Sequence, residues 1–125
     1  MLSFTFNGIS SESFNILIED SNIYSKGKKR IEFIQVPGRT GDLIIYDNSR
    51  KNITIELECS IEVDLKDKPQ LLKDLDDWLN GPEGYKDLIF NNGIKYKGVF
   101  IGELNLPTTE SFYTDFKLEF SCYQE

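Results

Sequence analysis

From Ile53 to Val63 apolar side chains fall on every second residue without a break. Ile53, Ile55, Leu57, Cys59, Ile61 and Val63 alternate with Thr54, Glu56, Glu58, Ser60 and Glu62. A period of two belongs to an extended strand, whose successive side chains point to opposite faces, so one face is core and the other is wet and acidic. At 3.4 Å per residue, residues 52 to 63 reach about 40 Å, longer than a typical strand. The strand is therefore expected to bend or to run beyond the domain body.

The remaining segments read as sheet around it. Leu2, Phe4 and Phe6 alternate with Ser3 and Thr5 before an Asn7-Gly8 turn. Phe14, Ile16 and Ile18 share a face, and Leu17 on the other suggests a strand covered on both sides or lying at a sheet centre. A third strand over 31–36 puts Ile31, Phe33 and Gln35 on one face and Glu32, Ile34 and Val36 on the other. A short strand over 43–46 is expected to be broken by Asp47-Asn48-Ser49-Arg50. Lys86 to Phe90, an Asn92-Gly93 hairpin turn and a long strand from Ile94 to Leu106 follow, with Gly98 and Gly102 marking bulges or the close approach of another backbone. After Pro107-Thr108-Thr109, a last strand places Phe112, Phe116, Leu118, Phe120 and Cys122 together.

One helix is signalled. Asp67 is the expected N-cap with Gln70 completing a capping box, Pro69 lies in the first turn and Gly81-Pro82 ends it. Leu71, Leu72, Leu75, Trp78 and Leu79 form one apolar stripe. The sum is a mainly β, α+β domain: a β-sandwich of about eight strands with one α-helix.

Between two of these strands, Val36-Pro37-Gly38-Arg39-Thr40-Gly41-Asp42-Leu43-Ile44 concentrates turn chemistry. Pro37 fixes its own φ and extends Val36, Gly38 can supply the positive φ of a type II turn, and Gly41 permits a second bend. Arg39 and Asp42 then sit close enough to pair. Two readings follow: a corner with a surface ion pair of small worth, or a rigid loop that presents Arg39 to a neighbouring protein.

Composition narrows the function. At 125 residues the chain makes one domain, and no apolar run approaches the length of about 18 residues that spans a membrane. The amino terminus lacks the basic and apolar regions of a signal peptide. A net charge of −7 argues against general nucleic-acid binding; the local exception, Lys26-Gly27-Lys28-Lys29-Arg30, reads as a solvated tip or a contact for an acidic partner. Cys59 and Cys122 read as small core hydrophobes, although two paired strands could also bring them into bonding range.

There is no histidine, which removes the commonest general base, triad partner and metal ligand. No Gly-rich loop opens a helix, and Asp74, Asp76 and Asp77 diverge around the helix instead of converging on a metal. No catalytic residue, cofactor or metal is expected. The apolar residues on both faces of 31–36, the glycine-punctured strand and the long strand at 52–63 point instead to assembly, since exposed edges must be paired or protected.

The order of these motifs resembles the amino-terminal domain of the siphophage distal tail protein family. It rests on Phe4-Thr5-Phe6-Asn7-Gly8-Ile9-Ser10-Ser11 with Phe14 and Ile16-Leu17-Ile18-Glu19, on Val36-Pro37-Gly38-Arg39-Thr40-Gly41-Asp42-Leu43, and on Thr54-Ile55-Glu56-Leu57. Leu75, Trp78 and Leu79 with Gly81, and the closing Phe116-Lys117-Leu118-Glu119-Phe120-Ser121-Cys122, complete it. The resemblance implies a β-sandwich with one helix and an extended hairpin, forming a homo-hexameric ring located in the virion tail, and in the host bacterial cytoplasm during assembly. The ring would join the tail tube protein to the tail-tip protein, beside the tape measure protein, and let DNA pass without specific binding. Phe33, Ile34, Gln35, Arg39, Asp42 and Ile44 are the expected subunit contacts, with Pro37, Gly38 and Gly41 as the structural turn. Typical members continue into a second, galectin-like domain; residues 1–125 would be the amino-terminal domain alone, as a piece of a longer protein or a minimal member. The competing reading is a non-catalytic carbohydrate- or protein-binding β-sandwich module.

Overall fold

The computed structural model describes residues 2–107 and 113–124. Its strands are β1 (Phe4–Phe6), β2 (Ile9–Ser10), β3 (Leu17–Ser21), β4 (Lys29–Ile34), β5 (Leu43–Arg50), β6 (Ile53–Glu62), β7 (Lys86–Phe90), β8 (Lys95–Phe100) and β9 (Tyr113–Tyr123), with helix α1 (Lys68–Leu79) between β6 and β7. Seven strands form one antiparallel sheet in the order β2-β1-β7-β8-β9-β6-β3, and among the described residues β4 and β5 pair only with each other.

The alternating strand is β6, and its apolar side fills the core: Ile55, Leu57, Cys59 and Ile61 are all buried. It does not outrun its partners. β9 pairs with it from Ile53↔Cys122 to Glu62↔Tyr113, ten residues in register, so its length is matched by a neighbour of equal length. On its other side β3 covers only Leu57 to Ser60. Beyond β3 the Asn22 side chain takes over the pairing: its amide nitrogen donates to the Thr54 carbonyl at 2.8 Å and its oxygen accepts from the Glu56 N–H at 2.7 Å. One side chain thus satisfies the donor and acceptor that another strand residue would have met.

β1 lies three places from β9 in the sheet, roughly 14 Å away if the sheet were flat. Yet the Phe4 and Phe6 rings lie 5.9 and 5.1 Å from that of Phe120. The expected sandwich therefore takes the form of one continuous sheet curled over its own core. The helix closes the end at β1. Trp78 stacks on Phe4 at 5.5 Å and on Phe14 at 4.8 Å, and its indole N–H donates to the Phe6 carbonyl at 3.0 Å, so this large ring is buried with its polar atom satisfied.

Several boundaries differ from expectation, each for a local reason. Phe14 belongs to a 3₁₀ turn (Ser11–Phe14) that ends at Asn15 in the left-handed region, so the second strand starts only at Leu17 and lies at the sheet edge. The capping box is not made: a 3₁₀ turn (Leu65–Asp67) runs straight into α1, leaving Asp67 helical and without a side-chain cap, and Gln70 bonds Asp74 instead. β8 stops at Phe100, six residues short of Leu106. Gly98 and Gly102 do mark close approaches within the chain: an added Cβ would come within 2.9 Å of Cys122 Sγ and 3.2 Å of the Glu119 backbone nitrogen. Ser60, expected on the wet face, is buried opposite Leu17. Cys59 and Cys122 are free thiols six positions apart along the β6–β9 ladder, about 20 Å, too far to bridge. The Thr108-Thr109 turn and Phe112 lie outside the described residues.

Candidate assembly surface

β4 and β5 form a ribbon that, among the described residues, shares no ladder with the main sheet. Asp47 to Arg50 do not break β5 as expected. Asn48, at φ 60, places extra residues in β5 between Arg50, opposite Lys29, and Tyr46, opposite Ile31, so a bulge absorbs the turn-forming residues and the strand continues.

Opposed residues in an antiparallel pair share a face. Ile31↔Tyr46 and Phe33↔Ile44 therefore line one side of the ribbon, and Glu32↔Ile45 and Ile34↔Leu43 the other. All of these side chains are exposed, Phe33 by 58% and Tyr46 by 60%. Val36, nearer the tip, is exposed as well. A two-stranded ribbon alone is marginally stable in water, and one with apolar residues on both sides offers two uncovered patches.

The tip is a tight turn. The Arg39 N–H donates to the Val36 carbonyl at 3.1 Å across Pro37-Gly38, and Gly38 holds φ 78, the geometry of a type II turn. Gly41 at φ 82 makes the second bend into β5. Gln35, Arg39 and Asp42 are all exposed there. Arg39 and Asp42 do not form the expected ion pair; the pairs among the described residues are Lys97–Asp87, Lys117–Glu56 and Lys117–Glu119. A solvated pair gains too little to offset the entropy of fixing two side chains.

The root is anchored. Lys51 N–H donates to the Lys28 carbonyl at 2.7 Å, and Gly27 sits so close to Lys51 that a Cβ there would lie 2.1 Å from its carbonyl oxygen. The buried Tyr96 hydroxyl donates to the Ile23 carbonyl at 2.6 Å, holding the segment that leads into the ribbon. Burial raises that phenol above its ordinary value, so it stays a donor. Between root and body lies a cleft of about 480 Å³ whose lining includes Lys26, Arg30, Arg50, Lys51, Tyr85 and Tyr123.

The expected contact residues Phe33, Ile34 and Ile44 thus lie on the ribbon, with Gln35, Arg39 and Asp42 at its tip. Sequence reasoning missed Leu43, Ile45 and Tyr46 as members of the same surface, although apolar residues filling both strand faces was the available signal. Among the described residues no His, Cys, Asp or Glu cluster could hold a metal ion, and burial pushes both thiols up to about 12, helped by Glu19 at Cys59, which leaves them unreactive.

The family described as "Phage tail protein N-terminal domain" matches residues 1–124. Among solved structures the chain is similar to SPP1 Dit (gp 19.1), described as a paradigm of the hub adsorption apparatus in Gram-positive infecting phages, with 15% identity and a TM-score of 0.75. That match covers 98% of this chain and 49% of the other, so the chain spans about half the length of that protein. At this identity the likeness is one of fold. No curated protein matches the chain.

Proposed function

Since the chain belongs to the phage tail protein N-terminal domain family, we propose that this tail component is a non-catalytic ring subunit, six copies of which encircle the distal end of a siphophage tail. On this reading the ring joins the tail tube to the tail tip, beside the tape measure protein, and DNA leaves through its centre. The hub role stated for SPP1 Dit supports this place, because the two chains share the fold over nearly all of this one.

The observation that carries the reading is the ribbon. Its two apolar faces are exposed in the isolated chain, and covering both at once takes neighbours on two sides, as a closed ring supplies. The expected contacts Phe33, Ile34, Gln35, Arg39, Asp42 and Ile44 lie on it or at its tip. The acidic body suits a channel for DNA, since like charge discourages sticking. Sedimentation equilibrium and native mass spectrometry of the purified chain test this. A hexamer that dissociates on dilution is the expected result; a strict monomer at high concentration overturns it.

A further inference from the structure

Charge is divided unevenly between ribbon and body. Residues 26–51 carry seven of the 14 Lys and Arg and only three of the 21 Asp and Glu, a net +4, and the remaining residues, with seven cations against 18 carboxylates, stand at −11. Lys28, Lys29, Arg30, Arg50 and Lys51 at the ribbon root are all exposed, and none makes an ion pair with a carboxylate among the described residues.

Negative charge collects on the outer side of the sheet. Asp20 lies directly opposite Glu58, and Glu56 directly opposite Glu119. Like charges facing each other across a ladder destabilise it. Lys117, directly opposite Glu58 in the ladder, turns toward the neighbouring row, reaching Glu56 at 3.4 Å and Glu119 at 3.8 Å, and neither Asp20 nor Glu58 makes an ion pair among the described residues. The root of the same chain is badly placed to serve. It enters β6 at the Ile53 end, about 17 Å along the strand from Glu58.

We propose that the cationic ribbon root of one copy docks on the acidic outer face of β3, β6 and β9 of the next copy. This deepens the ring reading above, on which it rests, by naming the surface that receives the ribbon. The donor and acceptor patches are different parts of the chain, so the contact is head-to-tail, the kind that closes into a ring. Apolar burial along the ribbon supplies the area, and the charges set approach and register.

Charge reversal in the full chain separates the two claims, with circular dichroism confirming that each variant folds. Raising salt from about 0.1 M to about 1 M shortens the Debye length from roughly 10 to 3 Å and is expected to weaken self-association about tenfold. Lys29→Glu with Arg30→Glu, or Asp20→Lys with Glu58→Lys, should each weaken it at least about tenfold, and a chain carrying all four changes should recover to within about threefold of wild type. If the four-fold variant assembles no better than either parent, or salt has no effect, the docking assignment fails. Phe33→Ser judges the ring reading by itself: loss of assembly in that variant, with the charge variants unaffected, keeps the ring and removes this docking. A wild-type chain that never self-associates removes both.

Discussion

Replacing Phe33 by Ser puts the central physical claim at risk. Phe33 is 58% exposed and faces Ile44 across the ribbon. A phenylalanine buries roughly 200 Å² when fully covered, so covering the exposed part in an assembly removes about 115 Å² from water, or about 3 kcal/mol at 25 cal/mol per Å². Losing that at each contact weakens the subunit–subunit Kd by roughly 100-fold. The isolated domain should hardly notice. The side chain is absent from the buried core, and its cross-strand pair with Ile44 contributes about 1 kcal/mol at most. Sedimentation velocity across a dilution series reads the first quantity, and urea unfolding of the dilute monomer reads the second. An unchanged Kd would refute the view that this surface is buried on assembly. A fall in monomer stability well above 1 kcal/mol would show that the ribbon belongs to the core.

The two thiols make alkali destabilising. Their folded values of about 12 lie above the ordinary 9.0, so the folded chain holds those protons more tightly, and the stability present below pH 9 is lost as pH rises from 9 toward 12. At pH 10 the loss is on the order of 1 kcal/mol per thiol. Urea unfolding at pH 8 and pH 10 should show a steeper decline for wild type than for Cys59→Ala or Cys122→Ala; equal declines would contradict it. Asn22→Ala should cost about 1 kcal/mol and speed amide exchange at Glu56, since both partners are backbone groups at a sheet edge. Arg39→Glu is expected to reduce ring formation while leaving the melting temperature nearly unchanged, because Arg39 is exposed and makes no ion pair among the described residues; wild-type assembly would count against its place at a contact.

What the sequence disclosed depended on how local the cause was. β7 over Lys86–Phe90, the Pro37-Gly38 turn and the helix stripe around Leu75 and Trp78 are set by neighbours within a few residues, and the structure places them as read. The extent of β5 was hidden because Asp47-Asn48-Ser49 forms a bulge as readily as a turn, and only pairing with Lys29 decides which. β6 looked long enough to overhang, yet its length is set by β9, sixty residues later in the chain. The apolar ribbon was half legible: residues 31–36 filled both faces, which suits a sheet centre as well as an uncovered arm. The root cations gave less, since Arg50 and Lys51 join Lys28 to Arg30 only when the hairpin closes.

The amide of Asn22 has a consequence beyond its two hydrogen bonds. By occupying β6 where β3 ends, it takes up the Thr54 carbonyl and the Glu56 N–H that a stranger's strand would copy, and the bulge and carboxylates of β3 protect the rest of that margin. Polymerisation by template, which has no natural stopping point, is thereby discouraged at this margin. On the ring reading, copies that meet through a projecting arm stop adding once the circle is complete, so the number of subunits becomes a matter of angle and not of supply.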